Sequence, residues 1–228
     1  MDKIILSLDT TDINEALEIT KKIKDKIFTV KLGLEFFNSN GKDGVRKFND
    51  MGINNLMLDL KLNDIPNTVY KSIKALKDIS FGYLTIHGQG GKEMIKKAKD
   101  ATDQINSKPK VLMVTVLTSL NDQDLKDLGN NNGVTKQVEH YAKMAKEMEI
   151  GVVCSGQEAK KVRKILGNNL QIFSPGIRML KDNNNDQRRV CTPAESIKNG
   201  SDKIIMGRSL IEGNIAENIN QVINSLKI

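Results

Sequence analysis

The chain has 228 residues, 39% hydrophobic and 28% charged, with no tryptophan and a net charge of +7. That composition is ordinary for a soluble globular protein and leaves room for one domain or two. No apolar run reaches the roughly 20 residues of a membrane span, and Met1-Asp2-Lys3 runs directly into a strand pattern, so neither a membrane partner nor a signal peptide is expected. Cys154 and Cys191 lack metal or redox spacing, which points to reduced thiols and a cytoplasmic location. The lysines scatter over helical faces, as in Lys96-Lys97-Ala98-Lys99, with acids between them and aromatics at only 4%. We read them as solvated faces and expect no nucleic-acid partner.

Strand and helix patterns alternate from end to end. A strand at 4–9 precedes a helix at 14–26, and a strand at 28–33 precedes a helix at 34–51. Then come a strand at 55–61, a helix at 66–79, a strand at 83–87 and a helix at 91–105. A strand at 110–117 leads through a polar segment to a helix at 135–148, and a strand at 151–155 to a helix at 157–166. A strand at 171–174, a long loop, a helix at 193–199, a strand at 203–206 and a helix at 211–226 complete the order. Near-continuous apolar runs such as Val111-Leu112-Met113-Val114 fit parallel strands covered on both faces. Eight βα units without a linker predict a single (β/α)8 barrel domain over 1–228 rather than an open doubly wound sheet. Polar residues gather where strands end: Asp9, Lys31, Asp59, Lys61, His87, Thr118, Arg178 and Arg208. In such barrels the C-terminal ends of the strands carry the active site.

The most informative stretch is Asp59-Leu60-Lys61-Leu62-Asn63-Asp64-Ile65-Pro66-Asn67-Thr68. Strand alternation puts Leu58, Leu60 and Leu62 on one face and Asp59 with Lys61 on the other. Asp64 follows in a turn, and Pro66 opens a helix. Buried charges need partners, so the pair is either a structural ion pair or part of an active site. Asp64 and Thr68 at the strand-to-helix junction favour the second.

Strand eight ends in Gly207-Arg208-Ser209 and strand seven in Pro175-Gly176-Ile177-Arg178. Glycine admits a ligand close to the backbone, and arginine offers a two-pronged fork to an anion. In barrels the loops after strands seven and eight often hold phosphate. Between the two arginines runs Met179 to Arg189, polar and without period, either an idle loop or a lid, with Gln187 a candidate phosphate ligand.

Together these pieces resemble the orotidine 5′-phosphate decarboxylase family. The matches are Leu8-Asp9, Lys31-Leu32-Gly33, the 59–68 stretch, Thr115-Val116-Leu117-Thr118-Ser119, Pro175-Gly176-Ile177-Arg178, Asp186-Gln187-Arg188-Arg189 and Gly207-Arg208-Ser209. They span nearly the whole chain. One departure is Met179 and an asparagine run where many relatives carry Pro and Gly. The resemblance implies a homodimeric barrel that converts orotidine 5′-phosphate to UMP in pyrimidine biosynthesis, with no metal or organic cofactor. It implies Lys61 as proton donor to C6, and a charge network of Lys31, Asp59 and Lys61 completed by Asp64 of the partner subunit. Asp9 would bind the ribose, Thr118 the pyrimidine amide, and Thr68 would cross the dimer interface. Arg178, Gln187, Gly207 and Arg208 would hold the phosphate.

That chemistry suits those residue types. Losing CO2 from C6 leaves a carbanion in the plane of the ring, with no adjacent π-system to accept it, so fixed charges must stabilise it. Rival readings are a related Mg2+-dependent sugar-phosphate barrel and a basic RNA-binding protein. The first lacks an extra carboxylate beside Asp59, since strand two offers Lys31 and strand four His87. The second has no use for a buried Asp59. His87 reads as a hydrogen-bonded structural histidine and His140 as solvent-facing.

Overall fold

Apolar strands without alternation need cover on both faces, and a barrel ringed by helices supplies it. The computed structural model describes residues 2–27, 29–179 and 189–226. Its strands are β1 (Ile4–Leu8), β2 (Thr29–Gly33), β3 (Leu56–Leu62), β4 (Tyr83–His87), β5 (Lys110–Val114), β6 (Gly151–Val153), β7 (Ile172–Ser174) and β8 (Lys203–Met206). They pair in parallel in sequence order and close, Ile4 of β1 lying opposite Ile204 of β8. The expected (β/α)8 barrel is the observed one.

The helices are α1 (Ile13–Ile23), α2 (Leu34–Asp50), α3 (Pro66–Lys74), α4 (Gly91–Thr102), α5 (Asp122–Asp127), α6 (Gly133–Glu147), α7 (Ala159–Leu166), α8 (Pro193–Lys198), α9 (Arg208–Ile211) and α10 (Ile215–Ser225). Local chemistry sets several starts. Asp12 caps α1 by accepting from the N–H groups of Asn14 and Glu15, and Pro66 stands at the first turn of α3. Alternate strand residues split between two cores. Ile5, Met57, Tyr83, Leu112, Val114, Val153, Phe173 and Ile205 fill the barrel, with the Tyr83 and Phe173 rings meeting edge-on at 4.9 Å. Ile4, Leu6, Leu8, Leu32, Leu58 and Ile86 face the helices.

Some boundaries differ from expectation. The fifth strand stops at Val114 rather than at 117, where its pairing with both neighbours ends, opposite His87 of β4 and Val153 of β6. The polar segment after it holds α5, started by a reciprocal cap between Asn121 and Asp124. The final helix begins at Ile215 and is preceded by the separate single turn α9. The third helix ends at Lys74 and continues to residue 78 only as turns.

Candidate active site

The charged residues expected at strand ends come together at the C-terminal mouth of the barrel. Lys31 on β2 lies 3.3 Å from Asp59 Oδ2 on β3, and Lys61 donates to the same oxygen at 2.8 Å. Lys31 also reaches Asp9 Oδ1 beyond β1 at 3.2 Å, and Ser7 Oγ donates to Asp9 Oδ2 at 2.8 Å. The result is an alternating chain, Asp9–Lys31–Asp59–Lys61. Gly33 keeps it open, since a Cβ there would stand 3.2 Å from Lys31 Nζ and 3.3 Å from Asp9 Oδ1.

Strand alternation does not carry Lys61 to this position unaided. Four steps along β3, Leu58 to Leu62, match only two along β4, Leu84 to Ile86. The slack is a bulge in which Lys61 takes a φ of 47°. Thr85 of β4 bridges it, its Oγ1 donating to Asp59 Oδ1 at 2.9 Å and accepting from the Lys61 backbone N–H at 2.9 Å.

Burial would raise the Asp59 carboxyl, but the Lys31 and Lys61 charges and the hydrogen bonds from Lys61 and Thr85 outweigh it and hold it below the ordinary carboxylate range. His87 at the end of β4 feels the same cluster. Its partial burial, then the Lys61 charge, push the imidazole below its usual value. His87 makes no side-chain hydrogen bond among the described residues, contrary to the structural role expected for it. His140 is exposed, as expected.

A cavity of about 290 Å3 opens over this chain of charges. Its other side is built from Pro175, Gly176 and Arg178 after β7 and Gly207 and Arg208 after β8. A Cβ on Gly207 would meet Ser7 O at 3.3 Å, a tight contact, and Asp9 Oδ2 at 3.7 Å, an ordinary one. Val114, Val116, Leu117 and the buried Thr118 form the wall after β5. Cys154 lines the same space, and burial pushes its thiol up to about 12. Among the described residues, no three His, Cys, Asp or Glu side chains gather as a metal site.

Comparison with known proteins decides the family. The family model described as "Orotidine 5'-phosphate decarboxylase / HUMPS family" matches residues 2–218. The chain is 42% identical to the orotidine 5′-phosphate decarboxylase of Wolbachia pipientis subsp. Culex pipiens, covering 99% of each chain. It is 41% identical to that of Ehrlichia canis over 99% of this chain and 98% of the other. The crystal structure of orotidine 5′-phosphate decarboxylase from Lactobacillus acidophilus superposes with a TM-score of 0.85 at 32% identity, each chain covered in full.

The chain belongs to the orotidine 5′-phosphate decarboxylase / HUMPS family. Membership makes it an enzyme, and the near-full-length relatives named decarboxylase put it on the carboxy-lyase side of that family. Of the residues singled out for this family in the sequence, the cavity brings together Asp9, Lys31, Asp59, Lys61, Thr118, Arg178, Gly207 and Arg208. Asp64 and Thr68 do not join it. Both are exposed, and Asp64 Oδ1 accepts from the neighbouring Ile65 N–H at 2.7 Å. Within one chain Asp9, not Asp64, is the second acid of the network. Gln187 and the loop 180–188 lie outside the described residues.

Three contributors escaped the sequence reading. Ser7 and Thr85 are small hydroxyls inside apolar strands, with no signal beyond their strand position. Arg189 donates to the carbonyl oxygens of Val116 at 3.1 Å and Leu117 at 2.6 Å and pairs with Glu158. Ile177 and Cys191 form a bridge across the base of the loop that ends at Arg189. Asp-Gln-Arg-Arg matched the family as a string, but nothing in the string says that Arg189 meets Glu158 and the carbonyls after β5.

Proposed function

We propose that this protein decarboxylates orotidine 5′-phosphate to UMP in pyrimidine biosynthesis. It acts as a cytoplasmic homodimer of single-domain barrels, without metal or organic cofactor. The observation that supports this most is the Lys31–Asp59–Lys61 chain at one side of a cavity whose other side carries Arg178 and Arg208. One side suits a reacting carboxylate and its carbanion, the other a phosphate.

In this reading Arg178, Arg208 and the backbone at Gly207 bind the phosphate, with Gln187 as a further ligand. Binding energy gathered there, far from C6, is expressed in the transition state. Asp9 holds the ribose and Thr118 the pyrimidine amide. Asp59 stands by the substrate carboxylate, which disfavours the bound ground state relative to the transition state. The C6–CO2 bond breaks, its electron pair stays on C6, and the Lys61 ammonium stabilises that pair and then gives it a proton. Asp64 and Thr68, exposed on their own chain, extend into the partner's site.

The direct assay is incubation with orotidine 5′-phosphate while the orotate absorbance is followed, with and without EDTA. The reading expects loss of absorbance in both. Activity that EDTA abolishes favours the Mg2+-dependent rival, and no turnover in either overturns the substrate.

A further inference from the structure

We infer that Thr85 is a positioning residue for the reaction: its hydroxyl clamps Asp59 and the Lys61 backbone together, aiming both charged groups into the cavity. The inference rests on the reading of Asp59 and Lys61 just given. Thr85 is fully buried on β4, and its Oγ1 is used twice, donating to Asp59 Oδ1 at 2.9 Å and accepting from the Lys61 N–H at 2.9 Å. Only a hydroxyl does both at one atom.

The place it occupies matters as much. The β3–β4 ladder skips between Leu58 and Leu62, so a side-chain oxygen holds the Lys61 N–H inside the bulge. Lys61 there has a φ of 47°, a conformation an L-residue keeps only when its surroundings enforce it. Thr85 is the described side chain that touches both the bulge and the Asp59 carboxylate. Its β-branch restricts χ1, which keeps the oxygen aimed. Without it, Asp59 Oδ1 loses its donor and the Lys61 N–H loses its acceptor. The ammonium is then free to drift, and about 1 Å of misplacement can cost on the order of 100-fold in rate.

The variants that test this are Thr85→Val, which keeps the shape and removes the hydroxyl, and Thr85→Ser, which restores it. Thr85→Val should lose at least about tenfold in kcat while KM stays within about threefold, and Thr85→Ser should recover most of the loss. The acid limb of the kcat profile should move to higher pH in Thr85→Val. Asp59 then loses one of the hydrogen bonds that hold its carboxyl low, while Lys31 of β2, Lys61 of β3, His87 of β4 and Asp9 beyond Lys31 still face the cluster. A purely structural Thr85 would lower stability and leave kcat per folded molecule and the acid limb unchanged; that result overturns the inference. If the valine variant does not fold, Thr85→Ala serves with the same two outcomes. An inert parent, or a Lys61→Ala variant as active as the parent, sinks the underlying reading and this inference with it. An active parent, a dead Lys61→Ala and an unaltered Thr85→Val sink this inference alone.

Discussion

Asp59 sits where an isolated carboxylate would take up a proton, yet the two ammonium groups beside it keep it ionised. Because folding depresses its pKa, folding favours the charged form. The resulting stability is complete above the unfolded value of about 3.9 and is lost as pH falls through the lower folded value. Asp59→Asn should therefore be less stable than the parent at neutral pH, with Lys31 and Lys61 left facing no acid between them. The gap should close as the pH is lowered through the acid range, where the parent also loses its carboxylate. Urea unfolding at several pH values measures that gap, and one that stays constant or widens contradicts the account. At this scale the sequence was informative about types and poor about geometry. An acid and a base within one apolar run could be picked out because charge is rare there. The bulge that turns Lys61 inward could not, because it depends on how β3 registers against β4 and on a hydroxyl 24 residues away.

The βα units were legible because parallel strands bury both faces and so read as unbroken apolar runs, as at Val111 to Val114. Segments held by single polar contacts were not. The helix α5 rests on the Asn121–Asp124 reciprocal cap within a polar stretch, where the cap was the only cue. Arg189 is one such contact, half-buried against Glu158 and two carbonyls of the segment that leads to Thr118. Exposed ion pairs contribute about 0–1 kcal/mol, but removing one partner of a buried pair costs about 3–5 kcal/mol. With side-chain exposures of 14% and 11%, the half-buried Arg189 and Glu158 fall between the two kinds. Arg189→Met should thus destabilise the protein by about 1–3 kcal/mol, between those limits, and adding Glu158→Gln should return part of it. Denaturant titration of the single and double variants checks this. A single variant within about 1 kcal/mol of the parent would mean that the pair behaves as a surface contact.

At the scale of the whole molecule, two exposed apolar side chains follow the adjacent strands β2 and β3, Leu34 at the start of α2 at 48% and Ile65 just before α3 at 67%. Asp64 lies beside Ile65, and Thr68 follows on the first turn of α3. This fits the proposed dimer, in which the loops after β2 and β3 meet their copies and carry Asp64 into the partner's site. Ile65→Lys should shift the protein toward monomers in sedimentation velocity and lower kcat/KM with it. A fully active monomeric parent would contradict the shared site. The barrel, its closure and its mouth were all readable from one chain's residues. The dimer was not, because residues such as Asp64 find their proposed partners only outside that chain.

The central claim is that a lysine held between strands by opposite charge replaces an electron sink. Single-turnover decarboxylation of orotidine 5′-phosphate by Lys61→Ala, alongside equilibrium binding of UMP, tests it most directly. The account predicts measurable nucleotide binding with no detectable CO2 release. Turnover within about tenfold of the parent, a barrier change of only about 1.4 kcal/mol, would contradict it.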